Sequence, residues 1–296
     1  MAANARRVRW KDKDFCILTS HKYETCLVTL FIRYESEQKI EGAHITGFLF
    51  HHQNIPIWIT AGHAMEDFKK LLASSVQIKQ CHFIDCAGGG GQTIPIDRND
   101  IRPVTINRDG VDISIVILPG YVFKTLFANE RNYWLNAPKP HHLKKPKPIG
   151  FHLVGWPKIL ERNSKWHISK HVIELSTQLT LICLPIKRIS GRKKSSNSFW
   201  NRKGGFYGRI LPYTNSTKLD LESIVGMSGG PIFAIQPQKD GSFNSRLYGI
   251  QSGWLASTGE IYATHISTVT AIACKVRKQL KSLIKKKHEK HLPPAE

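Results

Sequence analysis

The sequence lacks an apolar run long enough to cross a bilayer, which takes about 20 residues in a helix. Its longest apolar stretches, Val111–Pro119 and Leu179–Ile186, are shorter than ten residues and include polar members. The first ten residues are basic but have no apolar core, so they do not form a secretory signal. The sequence therefore predicts no membrane span and a cytoplasmic location.

Cysteine is scarce and shows no metal-binding spacing. Six cysteines occur, without a Cys-x-x-Cys pair. In a reducing compartment such residues are expected to be buried thiols rather than disulfides. Cys81, His82 and Cys86 lie close together, but their spacing matches no common zinc pattern. The sequence thus predicts no metal site.

Acidic residues are also few: 22 Asp and Glu stand against 43 Lys and Arg, for a formal net charge of +21. The excess lies in four segments, and the rest of the chain is neutral: residues 1–14, 139–147, 187–203 and 275–290. Basic segments of this kind can bind nucleic acid or an acidic protein through counterion release. No aromatic–basic recognition motif accompanies them, so an anionic partner and a plain solvated surface both stay open.

Short strand-like segments dominate the chain. They are rich in Val, Ile, Leu, Phe and Thr and end at turn residues: Cys26–Tyr34, Ile45–Phe50, Pro56–Ile59, Val76–Ile84, Ile113–Leu118, Ile149–Gly155, Leu179–Ile186, Pro231–Gln236, Leu247–Gln251 and Ile261–His265. Helices are predicted only at Ala64–Leu72 and at the end of the chain. There, apolar residues recur at spacings of three and four between lysines: Ile272, Val276, Leu280, Leu283 and Ile284. The pattern predicts an all-β sandwich or pair of barrels.

One octapeptide, Gly226–Phe233, has the composition of a nucleophile turn. Ser228 is followed by two glycines, a proline and an apolar strand. A nucleophilic serine needs small neighbours, so that a substrate can approach, and backbone N–H groups that stabilise an oxyanion. Gly226 can adopt the required backbone without a Cβ penalty. The alternative is a glycine-rich turn with an idle serine.

A base and a carboxylate occur in matching contexts. His63 ends the apolar segment Ile57–Gly62, at the edge of a packed core, where a structural histidine is the alternative. Asp112 stands at the start of the predicted strand Ile113–Leu118, whose apolar residues are expected to be buried. A buried carboxylate is costly unless it is paired, so a histidine partner is expected for Asp112. Asp109, beside a glycine, is the rival but has the context of a turn residue.

The order His63, Asp112, Ser228 resembles the chymotrypsin/trypsin-like serine peptidase family. The family's Thr-Ala-Ala-His-Cys is similar to Thr60–Ala64, and its Asp-Ile-Ala-Leu-Leu strand to Asp112–Val116. Its Gly-Asp-Ser-Gly-Gly-Pro is similar to Gly226–Pro231, and its Gly-Ile-Val-Ser-Trp-Gly to Gly249–Trp254. The four motifs occur in the family's order, and the resemblance spans about residues 25 to 275.

The resemblance implies two antiparallel six-stranded β-barrels with the catalytic residues in the cleft between them. His63 is then general base and acid, Asp112 orients it, and Ser228 is acylated. The N–H groups of Gly226 and Ser228 form the oxyanion hole, and no cofactor is implied. The implied organisation is a basic N-terminal segment, two barrels joined by a Pro/Lys-rich linker, and a basic amphipathic helix with its tail: residues 1–24, 25–137, 138–148, 149–270 and 271–296.

Three departures from the family bear on regulation and specificity. Met227 stands where the family's aspartate pairs with a new N-terminus, so that activation switch is absent, and the family's disulfides are missing. Both fit an intracellular, bacterial- or virus-type branch. Glu222, Ser252 and Trp254 are expected to line the substrate pocket: Glu222 could select Arg or Lys, whereas Trp254 could narrow the pocket.

The predicted function is therefore a serine endopeptidase acting on a protein or peptide, with an unidentified regulator. The rival interpretation is an inactive peptidase-like domain that binds a peptide or nucleic acid. The basic segments favour the rival, and the intact His63–Asp112–Ser228 set favours the enzyme.

Overall fold

A computed structural model describes most of the chain. The residues it describes are 11, 15–16, 19, 23–37, 39–52, 55–85, 93–108, 110–128, 135–136, 148–156, 167–168, 173–174, 182–189, 205–212, 224–240 and 242–290. Glu222, Cys86 and Asp109 lie outside them, as do residues 138–147 of the predicted linker.

The first half of the chain forms one sheet around its own core. Its strands are β1 (Leu27–Ser36), β2 (Lys39–His52), β3 (Ile55–Thr60), β4 (Gln77–Asp85), β5 (Thr93–Pro95), β6 (Pro103–Arg108), β7 (Val111–Ile117) and β8 (Leu135–Asn136). They are ordered β5-β4-β1-β2-β3-β7-β6, antiparallel throughout, and β8 pairs parallel with β2. The short β5 and β8 bring the sheet to eight strands.

Alternation along β1 divides the sheet into two buried faces. Val28, Leu30 and Ile32 pack with Trp58 and Phe83 in the interior of the first half. Side chains of a strand alternate between its faces, so the intervening residues of β1 lie on the opposite face of the sheet. Leu27, for example, joins the core that the two halves share.

The second half contains a closed barrel of six antiparallel strands. The strands of this half are β9 (Gly150–Gly155), β10 (His167–Ile168), β11 (Ile173–Glu174), β12 (Ile182–Arg188), β13 (Gly205–Ile210), β14 (Pro231–Pro237), β15 (Phe243–Leu255) and β16 (Glu260–His265). The barrel closes in the order β12-β13-β16-β15-β14-β9, while β10 and β11 form a separate pair. Phe151, Leu153, Leu184 and Ile232 fill its interior.

The two halves meet in a continuous apolar core. Ile57 and Ile115 of the first sheet pack in one cluster with Val154 and Phe233 on the outer surface of the barrel. Every one of these side chains is buried. Burial of a large aliphatic side chain contributes about 1.5–3 kcal/mol, so this interface holds the halves together.

The N-terminal segment, defined here as the described residues among 15–26, packs on the barrel of the second half. Phe15 contacts Phe243 edge-on, with 5.1 Å between ring centroids. Tyr23 stacks on Phe233, and its hydroxyl is hydrogen-bonded to the Ser245 hydroxyl. Phe15 and Tyr23 thus contact the second half in space, although β1 follows the segment directly in sequence.

The described residues include three α-helices: α1 (Gly62–Ala73), α2 (Gly120–Ala128) and α3 (Ile266–Lys290). The start of α3 buries Ile272 and Val276 in the shared core, while Lys275 and Lys278 are exposed. The side chains of Leu280, Leu283 and Ile284 lie outside the described residues. No helix in the described part of the chain has the length and hydropathy to cross a membrane.

The predicted fold class is confirmed. The chain is mostly β, with a closed six-stranded barrel, a second sheet and a C-terminal helix. The first sheet's last strand ends at Asn136 and the barrel's first strand begins at Gly150, on either side of the predicted linker.

Candidate active site

His63 and Asp112 are brought together where two neighbouring strands meet. β3 pairs with β7 up to Thr60 and Ser114, so the turn after β3 lies beside the start of β7. His63 Nδ1 lies 2.7 Å from Asp112 Oδ2. The backbone N–H of His63 donates to Asp112 Oδ1 at 2.8 Å. Both carboxylate oxygens thus hold the same histidine, by its ring and by its main chain.

The environment of the pair favours a protonated imidazole. The Asp112 side chain is completely buried, while that of His63 is 39% exposed. Partial burial acts to lower the pKa of His63, but the hydrogen bond to Asp112 and its negative charge outweigh burial, assisted by Asp67 and Glu66. The pKa of His63 is therefore raised above its usual 6.5. Asp112 can stabilise the imidazolium that forms when His63 accepts a proton.

The barrel of the second half fixes the backbone of Asp112. The Ser252 hydroxyl donates to the Asp112 carbonyl at 3.1 Å. The Asp112 N–H donates to Thr264 Oγ1 at 3.1 Å. Ser252 and Thr264 are each 1% exposed, so these bonds are shielded from water. The position of the carboxylate consequently depends on both halves of the molecule.

Gly62 lets the histidine turn approach Asp112. A Cβ at this position would lie 2.7 Å from Asp112 Oδ1 and 2.9 Å from both the Ile106 carbonyl oxygen and the Ile113 nitrogen. Two of these neighbours are backbone atoms, which cannot rotate away. A side chain at position 62 would therefore displace the carboxylate or the turn.

The turn that carries Ser228 packs against the end of β3, which precedes His63 in the chain. Gly229 has φ +94°, and a Cβ there would lie 2.5 Å from Thr60 Oγ1 and 3.1 Å from the Ala61 nitrogen. The Thr46 hydroxyl donates to the Gly226 carbonyl at 2.7 Å across the same contact. Ser228 itself is half-buried. The structure thus brings its turn within van der Waals distance of the residues that lead into His63.

Backbone hydrogen bonds shape this turn. Gly226 has φ +98°, a left-handed conformation that favours glycine. The N–H groups of Met227, Gly229 and Gly230 donate to carbonyls of Ile224, Gln251 and Met227, respectively. In the described part of the chain, no protein acceptor takes the N–H of Gly226 or of Ser228. These two groups are the ones that the sequence analysis assigned to an oxyanion hole.

The three predicted pocket residues have different surroundings. Ser252 is buried and holds the Asp112 carbonyl. Trp254 is half-buried against the core of the barrel. Glu222 lies outside the described residues, and its place in a pocket stays a prediction. Met227 is fully buried in the same core, where it cannot form an ion pair.

Sequence reasoning missed Thr46 and Thr264, which support the site from β2 and β16. Each makes its contact across more than 150 residues of sequence. Neither residue stands in a motif, and threonine is common in strands of any function. A second group also went unrecognised: Cys16, His152 and Cys183, three buried residues whose sulfur and nitrogen atoms converge.

Comparison with known proteins gives no match in sequence and several in structure. No protein-family model matches the chain, and no curated protein matches it. The chain is similar to the thermostable serine protease AL20 from an extremophilic microorganism, at 11% identity and a TM-score of 0.44, covering 82% of this chain and 92% of that one. It is similar to the protease Anisep from Arthrobacter nicotinovorans, at 10% identity and a TM-score of 0.44, covering 81% of this chain and 90% of that one. It is also similar to the tobacco vein mottling virus protease, at 13% identity and a TM-score of 0.38, covering 82% of this chain and 77% of that one.

Proposed function

We propose that the protein is a serine endopeptidase whose catalytic residues are Ser228, His63 and Asp112. The observation that carries this proposal is the buried Asp112 carboxylate, which binds the ring and the backbone N–H of His63 beside the Ser228 turn. A structural histidine does not need a carboxylate that is held in place by hydroxyl groups of the opposite half.

In the proposed reaction, Ser228 Oγ attacks the carbonyl carbon of a peptide bond while His63 Nε2 takes the hydroxyl proton. The negative charge on the former carbonyl oxygen is stabilised by the N–H groups of Gly226 and Ser228. The intermediate collapses as His63 gives the proton to the leaving amine. Water, activated in the same way, then hydrolyses the acyl-enzyme and regenerates Ser228.

A protein or peptide substrate fits the resemblance of the four motifs and the two-half fold. The buried Met227 supports a site that forms without N-terminal processing, because no charged group in the turn awaits a new α-amine. The exposed Lys275 and Lys278 leave a basic face of α3 open to an anionic partner.

The test is covalent labelling by a fluorophosphonate probe, combined with peptide hydrolysis. Ser228→Ala is expected to abolish labelling, and His63→Ala to slow it by about four to six orders of magnitude, because triad members act as a unit. The control is Ser257→Ala, which removes an exposed hydroxyl from the turn between β15 and β16. Circular dichroism checks that each variant is folded.

Two results would contradict the proposal. One is labelling that persists in folded Ser228→Ala. The other is a folded wild-type protein that neither reacts with the probe nor cleaves a peptide library, which would favour the inactive peptide-binding domain.

A further inference from the structure

Three buried residues from distant parts of the chain point soft donor atoms at one place. They are Cys16 of the N-terminal segment, His152 of β9 and Cys183 of β12, named here the Cys–His cluster. Their exposed fractions are 1%, 0% and 3%, and their donor atoms all lie within 4.8 Å of one another. The cluster is separate from the candidate active site and has no part in the proposed reaction.

Strand register places two of the donors on one face of the barrel. His152 pairs with Pro185 across β9 and β12, and Cys183 lies two residues before Pro185. Residues two apart on a strand share a face, so the His152 and Cys183 side chains are diagonal neighbours. Leu153 and Leu184 point into the barrel, whereas Cys183 belongs to the core outside it.

The N-terminal segment brings the third donor to this outer face. Cys16 Sγ lies 3.7 Å from His152 Nε2. The Phe15 ring stands beside the His152 ring, with 5.6 Å between centroids. Val154 and Trp156 belong to the same apolar cluster as Cys16, so the donors are shielded from bulk solvent.

We infer that the Cys–His cluster is a metal site that binds Zn²⁺ through Cys16, His152 and Cys183. Thiolate and imidazole are donors that zinc prefers. Zinc bound tetrahedrally at about 2.3 Å to sulfur and about 2.0–2.1 Å to nitrogen holds these two atoms roughly 3.5–3.6 Å apart. The observed distance of 3.7 Å between Cys16 Sγ and His152 Nε2 is only slightly longer than this.

Charge balance selects a divalent ion for a site this deeply buried. Two thiols release their protons to solvent when they bind Zn²⁺, so two thiolates, a neutral imidazole and the ion have no net charge. A monovalent ion would leave one negative charge in an apolar core, which is costly. Three protein donors leave the fourth coordination position to a solvent-derived ligand. The site would fasten the N-terminal segment to the barrel.

The experiment counts zinc in the full chain, produced with zinc in the medium and then dialysed. About one zinc ion per chain is expected in the wild type. Cys16→Ser and Cys183→Ser should each retain less than about a tenth of that, because two remaining donors are too few for a stable site. Cys81→Ser removes a buried cysteine of β4 outside the cluster and should retain zinc fully. Ser228→Ala should also retain zinc, which separates this proposal from the proposed function.

A second measurement decides the matter even if a variant does not fold. Zinc-free wild type titrated with Co²⁺ should show visible ligand-field bands of a tetrahedral complex and near-ultraviolet thiolate charge transfer. A wild type with neither zinc nor these bands overturns the proposal and leaves a thiol–imidazole hydrogen bond. Zinc retained in both cluster variants, or a Cys16–Cys183 disulfide found by counting thiols, overturns it as well.

Discussion

Gly62→Ala is expected to disable His63 without replacing any of the three proposed catalytic residues. The new methyl group would meet Asp112 Oδ1 at 2.7 Å and two backbone atoms of β6 and β7 at 2.9 Å. Since the backbone is fixed by strand pairing, the carboxylate or the turn that carries His63 must move. Overpacking of this kind costs about 1–3 kcal/mol of stability, which a folded domain can tolerate.

The effect on activity should be larger than the effect on stability. A misplacement of about 1 Å in a catalytic group can cost roughly 100-fold in rate. Fluorophosphonate labelling and kcat/KM should both fall by about that factor. Because the hydrogen bond that His63 donates to Asp112 raises the pKa of His63, its loss should also move the acidic limb of the activity profile to lower pH.

The matched control is Gly120→Ala at the start of α2, where an added Cβ meets no atom within 4 Å. Its labelling rate should equal that of the wild type, and its stability should change by less than about 1 kcal/mol. If folded Gly62→Ala keeps a labelling rate within threefold of the control and an unchanged pH profile, the contact between Asp112 and His63 does not set the reactivity of the site.

Two further predictions concern protonation and the closing helix. Activity should be lost as pH falls through the pKa of His63, with a midpoint above 6.5, because the imidazole must be neutral to accept a proton. In Asp112→Asn the midpoint should fall as the rate falls, and a pH–rate profile with an unmoved midpoint would contradict this assignment. Ile272→Ala, in the buried face of α3, should destabilise the fold by about 2–5 kcal/mol in denaturant unfolding. Lys278→Glu on the exposed face should stay within about 0.5 kcal/mol, and the reverse ranking would show that the faces are misassigned.

The strands that could be predicted from the sequence are those with unbroken apolar patterns. Cys26–Tyr34 and Ile113–Leu118, for example, correspond to β1 and β7. β13 was missed because its two glycines, Gly205 and Gly208, weaken a strand pattern. The structure shows why glycine occurs there: a Cβ at Gly208 would lie 2.4 Å from Ile186 Cγ2, inside the barrel. Such crowding depends on a strand that is distant in sequence.

Helix α2 was missed for a related reason. Val122 and Leu126 are its buried residues, and two positions four apart are too few to distinguish a helix from a turn. The better-predicted α1 has three buried positions, Gly62, Met65 and Phe68, at regular spacing of three.

In the candidate site, too, some features could be predicted from the sequence, whereas contacts between residues distant in sequence could not. The pairing of His63 with Asp112 could be anticipated, because a buried carboxylate at a strand start requires a partner. The motif places Ser252 in a substrate pocket, which stays a prediction, and it gives no sign of the hydrogen bond from the Ser252 hydroxyl to the Asp112 carbonyl 140 residues away. The Cys–His cluster could not be found from spacing, since Cys16 and His152 are 136 residues apart.

The docking of the N-terminal segment has a consequence for synthesis on the ribosome. Tyr23 is made before β1, but its hydrogen-bond partner Ser245 is made 222 residues after Tyr23. At about 5–20 residues per second, roughly 10–45 s separate the two. During that time the first sheet can form, while the barrel strands that contact Phe15 and Tyr23 do not yet exist. A segment that is made before the first sheet is thus among the last parts of the described chain to reach its native place.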